Sequence, residues 1–233
     1  MRPNISCQQR RKNQYYSEMN NSRTRIKICG ITRVEDALHA AFAGADSIGL
    51  MFHAPSPRSI DIAAALKIRK ALPPFVCLTA LFLDEEEDWI AQVVDQVRPD
   101  CLQFHGSESA DTCSAWGRPY IKAIPMAGEL DPGAYARGYA SAQGFLLDSH
   151  ASGRRGGSGD TFDWSKIPPT FEFPLVLAGG LKPSNVAEAI ARVRPWGVDV
   201  SSGVESPVAV KNIDLIDQFI KEVNRGDSLK NAS

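Results

Sequence analysis

The sequence predicts a single (β/α)8 barrel, the α/β fold of the TIM-barrel class. Three observations carry that prediction. From Arg25 onward, eight short apolar runs alternate with helix-like segments. The runs show little polar alternation, as expected for parallel strands covered on both faces. The repeating region spans about 200 residues, near the ~250 typical of such barrels, and eight repeats favour closure over an open doubly wound sheet.

The units follow in order. "RIKICG" (25–30) reads as a strand, and "TRVEDALHAAFAGA" follows as a helix. Thr32 and Glu35 have the spacing of a capping box, and Gly44 stands where a left-handed C-terminal residue is wanted. "DSIGLMF" is the second strand, and its helix "DIAAALKIRKAL" is stopped by Pro73-Pro74. "FVCLTALFL" leads into "EEEDWIAQVVDQV", whose acidic first turn suits the helix dipole. "CLQFHG" with "SADTCSAW" and "YIKAIP" with "DPGAYARGYA" make the fourth and fifth units. "GFLLDS" is followed by the glycine-rich loop "HASGRRGGSGDTFDW" and then only "SKIPPTFEF", so the helix after strand six is expected to be shortened or missing. "PLVLAGG" precedes "PSNVAEAIARV", with Pro183 at or near the first helical position. "GVDVSSG" and "NIDLIDQFIKEVNR" close the fold.

This organisation gives a disordered polar extension at 1–24, a catalytic barrel at 25–225 and a flexible tail at 226–233. The extension lacks the apolar core of a secretory signal. A net charge of −1 supplies no basic field for nucleic acid, and no apolar run reaches the ~18–20 residues of a membrane span. Five cysteines without CxxC or Cys/His spacing argue against a disulfide framework and a structural zinc. The expected setting is the reducing cytoplasm, with no nucleic-acid or membrane partner.

Barrel chemistry sits at the C-terminal ends of strands. Those ends carry Cys29-Gly30, Phe52-His53, Asp84, His105-Gly106, Pro125, Asp148-Ser149, Gly179-Gly180 and Ser202-Gly203. "AGGLKPSN" and "SSGVES" have the glycine content of a phosphate cradle, in which backbone N–H groups face an anion. Asp148 ends an apolar strand and suits a proton donor, or else caps a loop or pairs with Arg154 or Arg155. Cys29 is a candidate base if its thiol pKa is depressed; buried cysteine is equally an ordinary small core residue. Arg58, on a turn stiffened by Pro55 and Pro57, could grip a carboxylate through two parallel hydrogen bonds or lie solvated. His105 reads as an acid, a ligand or a satisfied polar group. Lys27 and Lys122 are the in-strand lysines that a Schiff-base enzyme would need.

"KICGITRVEDALHAAFAGADSIGLMFHAPSPRSI", "LQFHG", "LLDS" with "GGSGDTFDW", "LAGGLKPSNV" and "GVDVSSGVES" together resemble the phosphoribosylanthranilate isomerases of tryptophan biosynthesis. The resemblance implies an Amadori rearrangement of a small phosphorylated substrate, N-(5-phosphoribosyl)anthranilate, without cofactor or metal, by a monomer or homodimer. It implies Asp148 as general acid, Cys29 as general base and Arg58 as the holder of the anthranilate carboxylate. Gly157 and Gly159 of the glycine loop, with Gly179, Gly180, Ser202 and Gly203, would hold phosphate, while His105 and Asp199 would stand near the substrate. Two departures from the family pattern follow "SSGVE": the glycine of Ser-Pro-Gly is lost in "SPVAVKN", and Asn212 replaces an aspartate. They put the start of the eighth helix in question. Alternatives are a sugar-phosphate epimerase with His/Asp metal ligands, a Schiff-base aldolase, an isomerase serving two pathways through paired aspartates, and an inactive barrel used as a scaffold. The joint presence of Cys29 and Asp148 speaks against the scaffold.

Overall fold

A computed structural model describes residues 23–149, 162–168 and 171–232. Eight parallel strands close a barrel in chain order. They are β1 (Arg25–Cys29), β2 (Ser47–Met51), β3 (Cys77–Phe82), β4 (Cys101–Phe104), β5 (Tyr120–Pro125), β6 (Gly144–Asp148), β7 (Leu175–Leu177) and β8 (Gly197–Val200). Around them lie α1 (Val34–Ala43), α2 (Ile62–Ala71), α3 (Glu87–Val97), α4 (Ala110–Ser114), α5 (Pro132–Arg137), α6 (Val186–Val193) and α7 (Ile213–Ala232). Between β6 and β7 the described residues hold a single 3-10 turn, Trp164–Lys166, which agrees with the shortened unit expected there.

The core lies mainly between barrel and helices. Ile26 and Ile28 of β1 pack there with Ile48, Leu50, Phe82, Phe104, Phe145, Ile190 and Phe219. The intervening residues of β1, Lys27 and Cys29, are polar or reactive, so one strand separates a structural face from a chemical one. Register fixes what stands beside them: Lys27 pairs with Asp199 of β8, and Cys29 with Gly49 of β2.

Several local expectations change in three dimensions. The α1 helix starts at Val34 with Arg33 as its N-cap and no side-chain cap. Thr32 instead donates its hydroxyl to the Ala209 carbonyl 177 positions away. The acidic first turn is held by Arg33, whose guanidinium takes both oxygens of Asp36. Gly44 does close α1 in the left-handed region, at φ 116°. Helix α6 begins at Val186, three residues after Pro183, because Asn185 uses its side chain on the preceding glycine turn.

The C-terminal boundary also moves. Residues beyond 225 continue α7 to Ala232. Asp227 accepts from the Thr24 backbone N–H at 2.7 Å and its hydroxyl at 2.6 Å, and pairs with buried Lys230 at 3.1 Å. The expected tail therefore anchors the residue preceding β1. The start of α7 is intact: Asn212 accepts from the Leu215 N–H at 3.0 Å, the capping role an aspartate would fill. Residues 1–22 lie outside the described residues, as does most of the glycine-rich loop, including Gly157 and Gly159.

Candidate active site

Five sequence-predicted side chains meet in one pocket. Cys29, Arg58, His105, Asp148 and Asp199 all line it and are all buried. They come from β1, the turn after β2, the end of β4, the end of β6 and β8, so strand closure rather than local sequence brings them together. Cys29 and Asp148 stand on strands three apart around the ring.

Gly30 answers why a strand ends on Cys29 and then glycine. Its φ is 72°, and a Cβ there would stand 2.6 Å from Arg58 Cδ and 3.0 Å from Ser201 Oγ. A larger residue would push the arginine out of the pocket wall.

Asp148 Oδ2 lies 3.3 Å from His105 Nε2. His105 Nδ1 is 3.1 Å from Gln103 Nε2. With the amide nitrogen facing the ring, Nδ1 is the acceptor and Nε2 carries the ring proton, within contact distance of Asp148 but outside hydrogen-bond geometry. Buried Gln103 also lines the pocket, and its Oε1 has no hydrogen-bond partner among the described residues.

Arg58 is engaged rather than solvated. Its Nε and Nη2 donate to the two oxygens of Glu205 at 2.7 and 2.8 Å. Lys211 adds a third charged contact at 2.7 Å, and the Ala209 N–H a fourth bond at 3.0 Å. Burial alone would push the Glu205 carboxyl up, but Arg58 and Lys211 hold it down to about 2. Lys211 itself is lowered by burial, against the pull of Glu205. The asymmetry is physical: the carboxylate has two cations and a backbone donor, whereas the ammonium shares one carboxylate with an arginine.

Cys29 differs from the expectation of a depressed thiol. Burial pushes its pKa up, against the opposing charge of Lys27. The thiol is also away from an apolar core setting, since the Lys27 ammonium stands on the same glycine face and Asp199 lies nearby.

The phosphate candidates sit beside this pocket at the ends of β7 and β8. Gly179 and Gly180 both have positive φ, and Asn185 Nδ2 donates to the Gly180 carbonyl at 3.0 Å. Ser202 and Gly203 open a 3-10 turn through Val204. A Cβ on Gly203 would fall 1.9 Å from the Leu181 carbonyl oxygen, so glycine lets the β7 and β8 loops touch backbone to backbone. The two in-strand lysines are both ion-paired. Lys27 Nζ is 3.0 Å from Asp199 Oδ1, and Lys122 Nζ is 3.0 Å from Glu108 Oε2. Each nitrogen is held by a carboxylate, and neither lysine is among the pocket's lining residues, where Schiff-base chemistry would need it.

A family model for N-(5'-phosphoribosyl)anthranilate (PRA) isomerase matches residues 26–222. The chain belongs to the N-(5'-phosphoribosyl)anthranilate isomerase family. It is 50% identical over 202 residues to the isomerase of Pseudomonas fluorescens (strain Pf0-1), covering 87% of this chain and 99% of that protein. The crystal structure of phosphoribosyl anthranilate isomerase from Thermotoga maritima matches with a TM-score of 0.79 and 42% identity, over 86% of this chain and 98% of that one. A phosphoribosyl anthranilate isomerase crystallised with reduced 1-(o-carboxyphenylamino)-1-deoxyribulose 5-phosphate matches with a TM-score of 0.76 and 40% identity, over the same shares.

In this isomerase-family chain, sequence reasoning missed Gln103, Glu205 and Lys211, and saw Lys27 only as an aldolase lysine. Gln103 and Lys27 carried a signal: each sits two residues from a candidate group in an apolar strand, on the same side of the pleat. Glu205 carried none, because its arginine is 147 positions away.

Proposed function

We propose that this protein catalyses the Amadori rearrangement of N-(5-phosphoribosyl)anthranilate to 1-(2-carboxyphenylamino)-1-deoxyribulose 5-phosphate, with Asp148 as acid and Cys29 as base. The observation that carries the reading is the convergence of these two groups with Arg58 in one buried pocket. Asp148 donates its proton to the ribose ring oxygen. The C1–O bond breaks, and the anilino nitrogen's lone pair forms the C1=N iminium. Cys29 as thiolate then takes the C2 proton; the C2–H electron pair becomes the C1=C2 bond and neutralises nitrogen. The resulting enolamine loses its C2 hydroxyl proton and gains one at C1, so that C2 becomes the ketone.

Each group suits its step. Closing an acid and a base on opposite sides of the sugar needs them on different strands, as β1 and β6 supply. Arg58, braced by Glu205, keeps its Nη1 for the anthranilate carboxylate, and a braced guanidinium gives up little freedom on binding. Gly179, Gly180, Ser202 and Gly203 offer backbone N–H groups to the phosphate, together with Gly157 and Gly159 of the loop outside the described residues. Asp199 and His105 stand beside the sugar.

The test follows loss of substrate fluorescence when phosphoribosylanthranilate is generated in situ. Wild type should consume it rapidly. Cys29→Ser and Asp148→Asn should each lower kcat by about 10²–10⁴, the usual scale for a lost acid or base. Near-normal turnover by a folded Cys29→Ser protein would overturn the base assignment, and no consumption by folded wild type would overturn the reaction itself.

A further inference from the structure

Beneath Cys29 is a buried charge that the reaction above does not use. Lys27 is 6% exposed and lies two residues before the thiol on the same side of β1. Asp199, its register partner on β8, fixes the ammonium through Oδ1 at 3.0 Å, on the side of the strand that also carries the Cys29 sulfur. Burying an ammonium in a strand is costly unless it is paired, and a structural pair could as well have been apolar. Its placement under the reacting thiol calls for a reason.

Gly49 supplies a second, independent observation. It is the register partner of Cys29 on β2, and its backbone does not lie in the left-handed region. Space, not conformation, requires glycine: a Cβ would stand 2.8 Å from Cys29 Sγ and 2.9 Å from Lys27 Nζ. Sulfur and ammonium therefore share the bare face of one glycine. Such a hollow keeps both atoms where a methyl group would force one aside.

We propose that Lys27, held by Asp199 and given room by Gly49, is the positioning residue that stabilises Cys29 as a thiolate. The groups facing the sulfur can be named from each packed element. Lys27 shares its strand, Asp199 comes from β8, Lys211 from the loop after β8 and Arg58 from the turn after β2. Two of the three cations are committed elsewhere, since Arg58 and Lys211 both bind Glu205. Lys27, paired with Asp199, is the cation that shares the Gly49 hollow with the sulfur. Its charge is secure, because although burial opposes it, Asp199 and the sulfur hold its pKa above the usual lysine range. When the thiolate takes the C2 proton, an S–H bond forms and Lys27 keeps its own proton; the lysine never enters the proton transfer.

The kinetic part of this inference rests on Cys29 being the base; the ionisation part does not. The experiment titrates the thiolate ultraviolet absorbance of the full-length protein against pH, subtracting Cys29→Ser to isolate one thiol. Lys27→Met with Asp199→Asn removes the cation without leaving a buried lone carboxylate. The Cys29 midpoint should rise by about one unit or more, a tenfold loss of thiolate. The rising limb of the kcat/KM pH profile should move with it. Gly49→Ala leaves both charges present and serves if the double variant fails to fold; it should raise the midpoint in the same direction. An unchanged midpoint in either folded variant overturns the proposal. A shifted midpoint with an unshifted kinetic limb supports the role of Lys27 and instead overturns Cys29 as the base.

Discussion

Replacing Glu205 by glutamine tests how the β8 loop supports the pocket. The side chain keeps its size but loses the charge that Arg58 and Lys211 both bind. The magnitude follows from the carboxyl's two states. Its pKa falls from 4.5 to about 2 on folding, and at 1.36 kcal/mol per unit this is about 3 kcal/mol. The lower end of the 3–5 kcal/mol usual for breaking a buried pair agrees. Because the folded pKa is the depressed one, the contribution is complete above about pH 4.5 and is lost as pH falls toward 2. Urea unfolding at neutral pH should show Glu205→Gln less stable by about 3 kcal/mol, and the gap should shrink to about 1.4 kcal/mol at pH 3. A gap below about 1 kcal/mol at neutral pH, or one unchanged at pH 3, would refute the reasoning. It would mean that Arg58 and Lys211 find water when the carboxylate is gone.

Two further outcomes are expected. Arg58→Lys should raise KM about tenfold with kcat nearly unchanged, since a point charge cannot brace on Glu205 and still present a planar fork; steady-state kinetics in the fluorescence assay read both. Asn212→Ala should lower stability by about 1 kcal/mol through loss of the α7 cap, whereas Thr32→Ala, which removes no cap, should cost less than about 0.5 kcal/mol, both measured by urea unfolding.

The sequence revealed the barrel because each strand is an apolar run ended by glycine, proline or a polar residue, and those ends are also where the chemistry lies. Cys29, His105 and Asp148 could be singled out for that reason alone, whereas Asp199, inside β8, came only from the family resemblance. Local rules failed where a distant partner competed for the same atom. Thr32 had the spacing of a cap, but the Ala209 carbonyl takes its hydroxyl. Residues after 225 are polar enough to suggest a loose tail, yet Asp227 holds Thr24 across 203 positions. The brace on Arg58 was hidden for the same reason: nothing near "SPR" points to Glu205. Thiol ionisation lies one step further away, because it depends on burial and on Lys27 together.

The altered segment after Glu205 shows what that loop has to do. Its tasks fall to Glu205, Lys211 and Asn212, all present, and to one backbone donor, the N–H of Ala209. To aim that N–H at Glu205, Ala209 adopts φ 62°, the left-handed region where glycine is at ease. The segment has lost the glycine of the family pattern, and Ala209 bears the strain. Left-handed backbone costs an alanine roughly 1–2 kcal/mol, while glycine gives back about 0.4–1 kcal/mol through its freer unfolded chain. Ala209→Gly should therefore stabilise the protein by about 0.5–1 kcal/mol. In a chain of this size that raises Tm by roughly 1–4 °C, read by thermal unfolding, with KM unchanged because the Glu205 brace is kept. A fall in Tm would mean that the Ala209 methyl packs well enough to repay its own backbone strain.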